Sequence, residues 1–377
     1  MRSYRSAIPF SRALRAIAFP FFVSRSGVLG VGLLAAVFIG YDPAPNRPAL
    51  WRISANPVHN LLARWDTFWY LDIATRGYHW NGNALEQQNV VFFPLLPALI
   101  RLLGAAVHDH MLLAGLAVSL TAFPIALAYI WRWTAEQKDE DVAAAAVALL
   151  CAFPFSVFFS AVYTESLFLM AAAGAWCHLQ RREHARAALF GLGAGLVRPN
   201  GFLLAAPLAW LALGDAAPLS RRLAVVAAPV VGVLLYSAYL RVHVGSASAW
   251  IAGQAAWPSM APWGGPGAPE PGPPFPYEPS SILVHLGNAA ALVLALVAIW
   301  PVGRTLGFAA ALLIALNLLL PAARHGLQSL GRFTSVLFPI FIWLAEALPK
   351  RRRVLVLVFA AGQIVAAILF FTWRPLV

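Results

Sequence analysis

Apolar runs of 16 to 21 residues recur along the chain, separated by short segments that carry nearly all of its charge. A helix needs about 20 apolar residues to cross a bilayer. That spacing predicts spans at 26–41, 111–131, 142–159, 164–180, 223–242, 282–300, 305–320, 333–348 and 354–372. Ahead of them, 8–22 interleaves arginines with apolar residues and reads as an amphipathic helix lying along the inner surface. Two further runs are ambiguous. The run 90–107 is broken by Pro94, Pro97 and Arg101 and reads as an interfacial or re-entrant helix. The run 187–213 is interrupted by Arg198, Pro199, Asn200 and Gly201, and reads as two short helices meeting at the outer side. Such broken elements are tolerated in membranes where they line a polar cavity. A single proline-kinked helix is the alternative.

The basic residues arbitrate between these readings. If the run 90–107 crossed once, Arg181, Arg182, Arg221, Arg222 and the cluster 350–353 would move outside, against the positive-inside bias; if the run 187–213 crossed once, every later loop would invert, Arg221 and Arg222 included. The resulting expectation is one integral membrane domain over 1–377, all α-helical. It has about 11 spans, a cytoplasmic amino terminus (1–25) and a carboxyl end outside. The first extracytoplasmic loop (42–110) carries interfacial helices. A later outer loop, 245–281, is rich in Pro and Gly and has no core of its own.

Composition agrees. Of 377 residues, 60% are hydrophobic and 11% charged, against about a quarter charged in soluble domains. The net charge of +12 is bunched between apolar runs, which fits membrane lipid headgroups and excludes nucleic acid as a partner. Cys151 and Cys177 both lie in apolar runs and read as buried small residues.

Chemistry concentrates at the predicted outer side. Arg64, Trp65, Asp66, Trp69 and Tyr70 form an aromatic cluster around a carboxylate. Trp65, Trp69 and Ile73, four apart, share one helical face, with Asp66 and Tyr70 beside it. Asp66 is also well suited to plain helix N-capping, and Asp72 to an ion pair with Arg76 four residues on. Downstream stand Tyr78, Glu86, Tyr163, Glu165, Arg198, Asn200 and Arg332. Glu165 could equally serve the dipole of the following helix, and the arginines could simply reach the headgroups. His59, His79, His108, His110 and His325 have no ligand-like company, and no DxD, HExxH or P-loop occurs. Neither a metal nor a cofactor is expected.

These pieces resemble the phosphatidylinositol-glycan class V family, the GPI second mannosyltransferases, and particularly its shorter bacterial members. The matching pieces begin with Trp65, Asp66, Trp69, Tyr70, Gly77 and Tyr78, followed by Glu86 and the segment 92–97 with Arg101. The segment 158–168, then Arg198 to Gly201, and finally Arg332, Phe333, Phe338 and Pro339 complete the set. The chain has Leu196, Val197, Arg198, Pro199, Asn200, Gly201 where the family often has Ala-Arg-Xaa-Asn-Gly. The resemblance implies a GT-C-type membrane glycosyltransferase in a bacterial plasma membrane. It further implies a polyprenyl-phosphate-linked hexose donor, mannose by expectation, and inverting transfer on the extracytoplasmic face to a glycolipid, glycan or protein hydroxyl. Asp66 would be the general base, Arg198 or Arg332 would face the departing phosphate, and Arg64, Trp65, Tyr70, Tyr78, Glu86, Tyr163, Glu165 and Asn200 would bind substrate. A lipid-linked-sugar flippase and a non-catalytic envelope scaffold are the competing readings; the visible lack of repeat symmetry counts against the first.

Overall fold

A computed structural model describes residues 8–41, 60–108, 110–257, 279–374 and 376. Arg2, Arg5, His59, the first part of the outer loop (42–59) and most of the Pro/Gly-rich segment (258–278) lie outside the described residues. The described chain is mostly helical, with no strand among the described residues. Its α-helices of six residues or more are α1 Phe10–Phe38, α2 Thr67–Arg76, α3 Leu95–Ala106, α4 Met111–Gln137 and α5 Glu140–Ala152. There follow α6 Glu165–Gln180, α7 His184–Val197, α8 Ala205–Leu213 and α9 Leu219–His243. The last five are α10 Pro279–Thr305, α11 Phe308–His325, α12 Leu330–Ser335, α13 Phe338–Ala347 and α14 Arg352–Phe371.

Among the described residues five helices (α1, α4, α9, α10 and α14) are long and apolar enough to cross a membrane. A sixth would be α5 with its bent continuation. The chain is an integral membrane protein. The remaining helices are shorter. At 1.5 Å per residue, the 12 residues of α3 extend roughly 18 Å, well below the roughly 30 Å hydrocarbon thickness.

Three predicted elements are built differently from expectation. The surface helix 8–22 and the span 26–41 are one continuous helix, α1. Its buried face runs Ala13, Ile17, Phe21, Arg25, Val28, Gly32, Ala35, an unbroken three-to-four spacing that passes straight through Pro20. The run 142–159 is not one straight span. α5 stops at Ala152, and a 3-10 turn, Pro154–Ser160, leaves it at 81°. Such a corner strands carbonyls in an apolar interior, where each needs a partner. Arg25, read from the sequence only as part of the basic amino terminus, supplies them. It is buried and donates to Ser156 O at 2.6 Å, Cys151 O at 2.9 Å and Ser160 Oγ at 2.8 Å. Gln363 of α14 donates to Cys151 O and Phe153 O, both at 2.9 Å. Thirdly, Arg332 and Phe333, expected in a loop and at a span start, sit in the short α12.

The run 187–213 folds as the pair of short helices, not as one kinked span. His184 at the start of α7 meets Asp215 beyond α8 at 2.6 Å, closing the base of a hairpin. The tip is Arg198 to Gly201, where Gly201 lies so close over the Ala194 carbonyl that a Cβ would collide with it. Because α8 returns, α7 and α9 run parallel: Gly191 packs on Pro229 and Gly195 on Gly232.

The two ends of the bundle differ in character. At one, Arg181 pairs with Glu136 at 2.6 Å and Lys138 with Glu346 at 2.6 Å. At the other, short helices end beneath long ones. The first turn of α6 is level with Ser119, whose Oγ reaches Tyr163 O at 3.4 Å. Ser119 is eight residues into α4, so α6 begins roughly 12 Å below the start of its neighbour. The start of α6, the end of α7 and the short α12 meet at this end, where Glu165 lies 3.2 Å from Arg198 and pairs with Arg332.

Candidate active site

Asp66 occupies the position before α2, yet its carboxylate makes no capping hydrogen bond. The local backbone explains why. Trp65 adopts a left-handed φ of 50°, a conformation that a bulky residue enters only when its surroundings enforce it. Asp66 itself is already helical, which turns its side chain away from the first-turn amides. Its own N–H donates to the Tyr163 hydroxyl at 3.1 Å, fixing the turn against the segment that leads into α6.

The Asp66 carboxylate is instead held by Arg332 of α12, Nη1 to Oδ2 at 2.7 Å. Arg332 Nε also donates to Glu165 Oε1. The same carboxylate oxygen lies 3.2 Å from Nη2 of Arg198, in the extended residue that ends α7. Two carboxylates and two guanidinium groups thus alternate along one chain of contacts, Asp66–Arg332–Glu165–Arg198. The Arg332 guanidinium lies over the Tyr163 ring at 4.7 Å and Phe158 at 5.4 Å. Arg198 lies over Phe333 at 5.1 Å and Phe168 at 5.6 Å. Charges this deep persist only when paired and supported, and the aromatic faces add to that support.

The two carboxylates are not equivalent. The Glu165 side chain is fully buried, whereas that of Asp66 is 26% exposed. Glu165 Oε1 is shared by two arginines, and its position in the first turn of α6 adds the helix dipole. Its Oε2 and Arg198 Nη1 are buried without a hydrogen-bond partner among the described residues. Glu165 is thereby a strut between two arginines that would otherwise repel each other. Asp66 is the carboxylate that a substrate can reach.

Tyr70, one turn along α2, faces Thr164, Asp66, Arg332 and Glu165. Burial, with the Asp66 carboxylate next in importance, pushes its phenol well above the ordinary tyrosine range. It therefore stands as a neutral hydroxyl beside the charged chain. Asn200, at the hairpin tip, is set to one side and donates from Nδ2 to Asn317 Oδ1 at 3.0 Å. Sequence reasoning missed Asn317. The signal was there, a buried amide in the apolar α11, and polar residues inside spans mark function or packing.

Four of the expected substrate residues lie elsewhere. Arg64 is fully buried and ties the outer segment to the end of α14, donating from Nε to Phe371 O at 2.9 Å, with its guanidinium over Trp373. Trp65 packs on the same Trp373. Tyr78 donates to Phe92 O at 2.8 Å and packs on Tyr236, and burial raises its phenol too. Glu86 accepts from Asn81 at 2.6 Å and Asn83 at 2.8 Å within an exposed polar turn. The expected aromatic stripe also turns inward: Ile73 is buried and Trp69 stacks on Phe92. Asp72 is bound by Arg76 and Asn89, as its simpler reading had it. Among the described residues no three His, Cys, Asp or Glu side chains gather as a metal-ligand set.

Asp66, Glu165 and Arg198 fall within one stretch of chain that similarity to known proteins identifies. Residues 49–217 match the mannosyltransferase (PIG-V) family model. The match bears out the resemblance seen in the motifs and supports a glycosyltransferase of mannosyltransferase type. No curated protein matches the chain. Arg332 lies beyond the matched stretch, so it is the fold that brings it to Asp66.

Proposed function

We propose that the chain is an inverting, GT-C-type membrane mannosyltransferase of a bacterial plasma membrane, acting on a polyprenyl-phosphate-linked mannose at the extracytoplasmic face. The observation that carries this reading is the Asp66 carboxylate, which leaves its helix uncapped and stands partly exposed at the open end of a buried carboxylate–arginine chain. Sidedness is supported by the basic segments at 181–182, 221–222 and 350–353, whose helix ends lie away from that chain. With them inside, the eleven-span reading puts Asp66 and its partners outside.

In this mechanism the acceptor hydroxyl oxygen attacks the anomeric carbon from the face opposite the phosphate. Asp66 takes its proton as the new C–O bond forms. The bond from the anomeric carbon to the phosphate oxygen breaks, and its electron pair stays on that oxygen. The departing lipid phosphate gains negative charge, which Arg332 and Arg198 meet with fixed guanidinium donors. Tyr70, Tyr163 and Asn200 position the sugar. The acceptor is a hydroxyl of a glycolipid, glycan or protein.

The test is a reconstituted assay: purified protein in liposomes with polyprenyl-phosphate mannose and crude envelope acceptors. Release of polyprenyl phosphate with mannose appearing on an acceptor supports the proposal. Movement of the intact lipid across the bilayer without cleavage would replace it with the flippase reading.

A further inference from the structure

The end of the bundle opposite Asp66 holds a cleft of about 570 Å³ between the starts of α7 and α9. Its lining includes Arg182, Glu183, His184, Arg186 and Arg221. The fold makes this pairing of helix starts possible. Because α8 returns along the hairpin, α7 and α9 run parallel, and both N-termini lie at the same end, beside the cleft. Each contributes unpaired N–H groups and the positive end of a helix dipole. The nearby carboxylates are already engaged: Glu183 with His178 at 2.6 Å and Arg186 at 3.0 Å, Asp215 with His184 at 2.6 Å. Neither Arg182 nor Arg221 pairs with a carboxylate among the described residues, and both are exposed. Leu189 on α7, one turn beyond the cleft-lining Ala185, stands exposed.

From this arrangement we infer that the cleft is a binding site for an anionic phospholipid: its phosphate sits between Arg182 and Arg221, and its acyl chains run past the exposed Leu189 of α7. A cationic cleft of this size suits a phosphoglycerol headgroup. The exposed Leu189 beside the cleft favours a lipid over free phosphate, since a soluble ion gains nothing from an apolar side chain. The site is separate from the proposed transferase centre and does not depend on it.

The probe is phosphatidylglycerol against phosphatidylcholine, with the full chain purified into nanodiscs and retained lipid counted by native mass spectrometry. The wild type should retain phosphatidylglycerol selectively. Each arginine at such a surface is worth roughly a fivefold change in affinity, so R182Q/R221Q should weaken retention about 25-fold. R221K, which keeps the charge, should hold the lipid. Melting of the variants, followed with a thiol-reactive dye at Cys151 and Cys177, checks that they fold; should the double variant fail, R221Q alone carries the test. Equal retention of the two lipids by the wild type, or undiminished selectivity in a folded variant, would overturn the inference. So would displacement of phosphatidylglycerol by millimolar inorganic phosphate, which would make the ligand a soluble anion.

Discussion

Replacing Glu165 with Gln should destabilise the protein far more than replacing Asp66 with Asn, although both remove one carboxylate charge from the same chain. Glu165 is fully buried and its Oε1 serves both Arg332 and Arg198, whose side chains are 12% and 6% exposed. The amide of Gln keeps an acceptor oxygen but leaves two guanidinium groups facing each other without a counter-charge. Removing one partner from a buried ion pair costs about 3–5 kcal/mol, and the retained acceptor places the expected loss near about 3 kcal/mol. Against a total stability of roughly 5–15 kcal/mol this is large, a shift on the order of 5–10 °C in melting temperature. Asp66 is 26% exposed and has one ion-pair partner; water can replace much of what Asn loses, and the cost should stay within about 1 kcal/mol. Cys151 and Cys177 are both buried, so a thiol-reactive fluorophore reports unfolding of detergent-solubilised protein directly. Equal melting shifts for the two variants, or an E165Q variant that melts within a degree or two of wild type, would refute the division of labour between strut and base.

Other substitutions probe the scaffold. Gly201→Ala should prevent the hairpin tip from closing, because the new Cβ meets the Ala194 backbone carbonyl and not a movable side chain; loss of monodisperse protein on gel filtration is the expected readout. Arg25→Met strips a buried donor from Ser156 O, Ser160 Oγ and, beside Gln363, Cys151 O. It should cost about 3 kcal/mol or more, visible in the same thiol-dye melt. Glu86→Gln should leave both melting and mannose transfer close to wild type, since Glu86 only ties together Asn81 and Asn83 in an exposed turn. A large fall in transfer rate would return it to the substrate site.

The residues of the charged chain were legible in the sequence because each is a costly group beside apolar runs, and topology alone put Asp66, Glu165, Arg198 and Arg332 on one side. Their division of roles was not. A sequence cannot tell that Trp65 takes a left-handed backbone and so withholds Asp66 from capping, or that Glu165 is the buried member of the pair. Residues 64, 65, 78 and 86 share the motif neighbourhood of Asp66 but face other partners, and proximity in sequence carried them into the expected site. The hairpin at 184–215 was legible from charge bias, through the need to keep Arg221 and Arg222 inside. The corner after Ala152 was not, because an 81° break within an apolar run leaves no mark on its hydropathy. Arg25 was the available clue: it falls on the buried spacing of α1, where a lone guanidinium implies carbonyls to satisfy.

The central claim is that Asp66 removes the acceptor proton, and transfer by Asp66→Asn in proteoliposomes tests it most directly. The isostere keeps the shape and a neutral acceptor for Arg332, so donor binding, read by retention of labelled polyprenyl-phosphate mannose, should persist. Transfer should fall by about 10²–10⁴-fold, the range for loss of a general base. Asn at this position with donor bound and transfer at the wild-type rate would contradict the account.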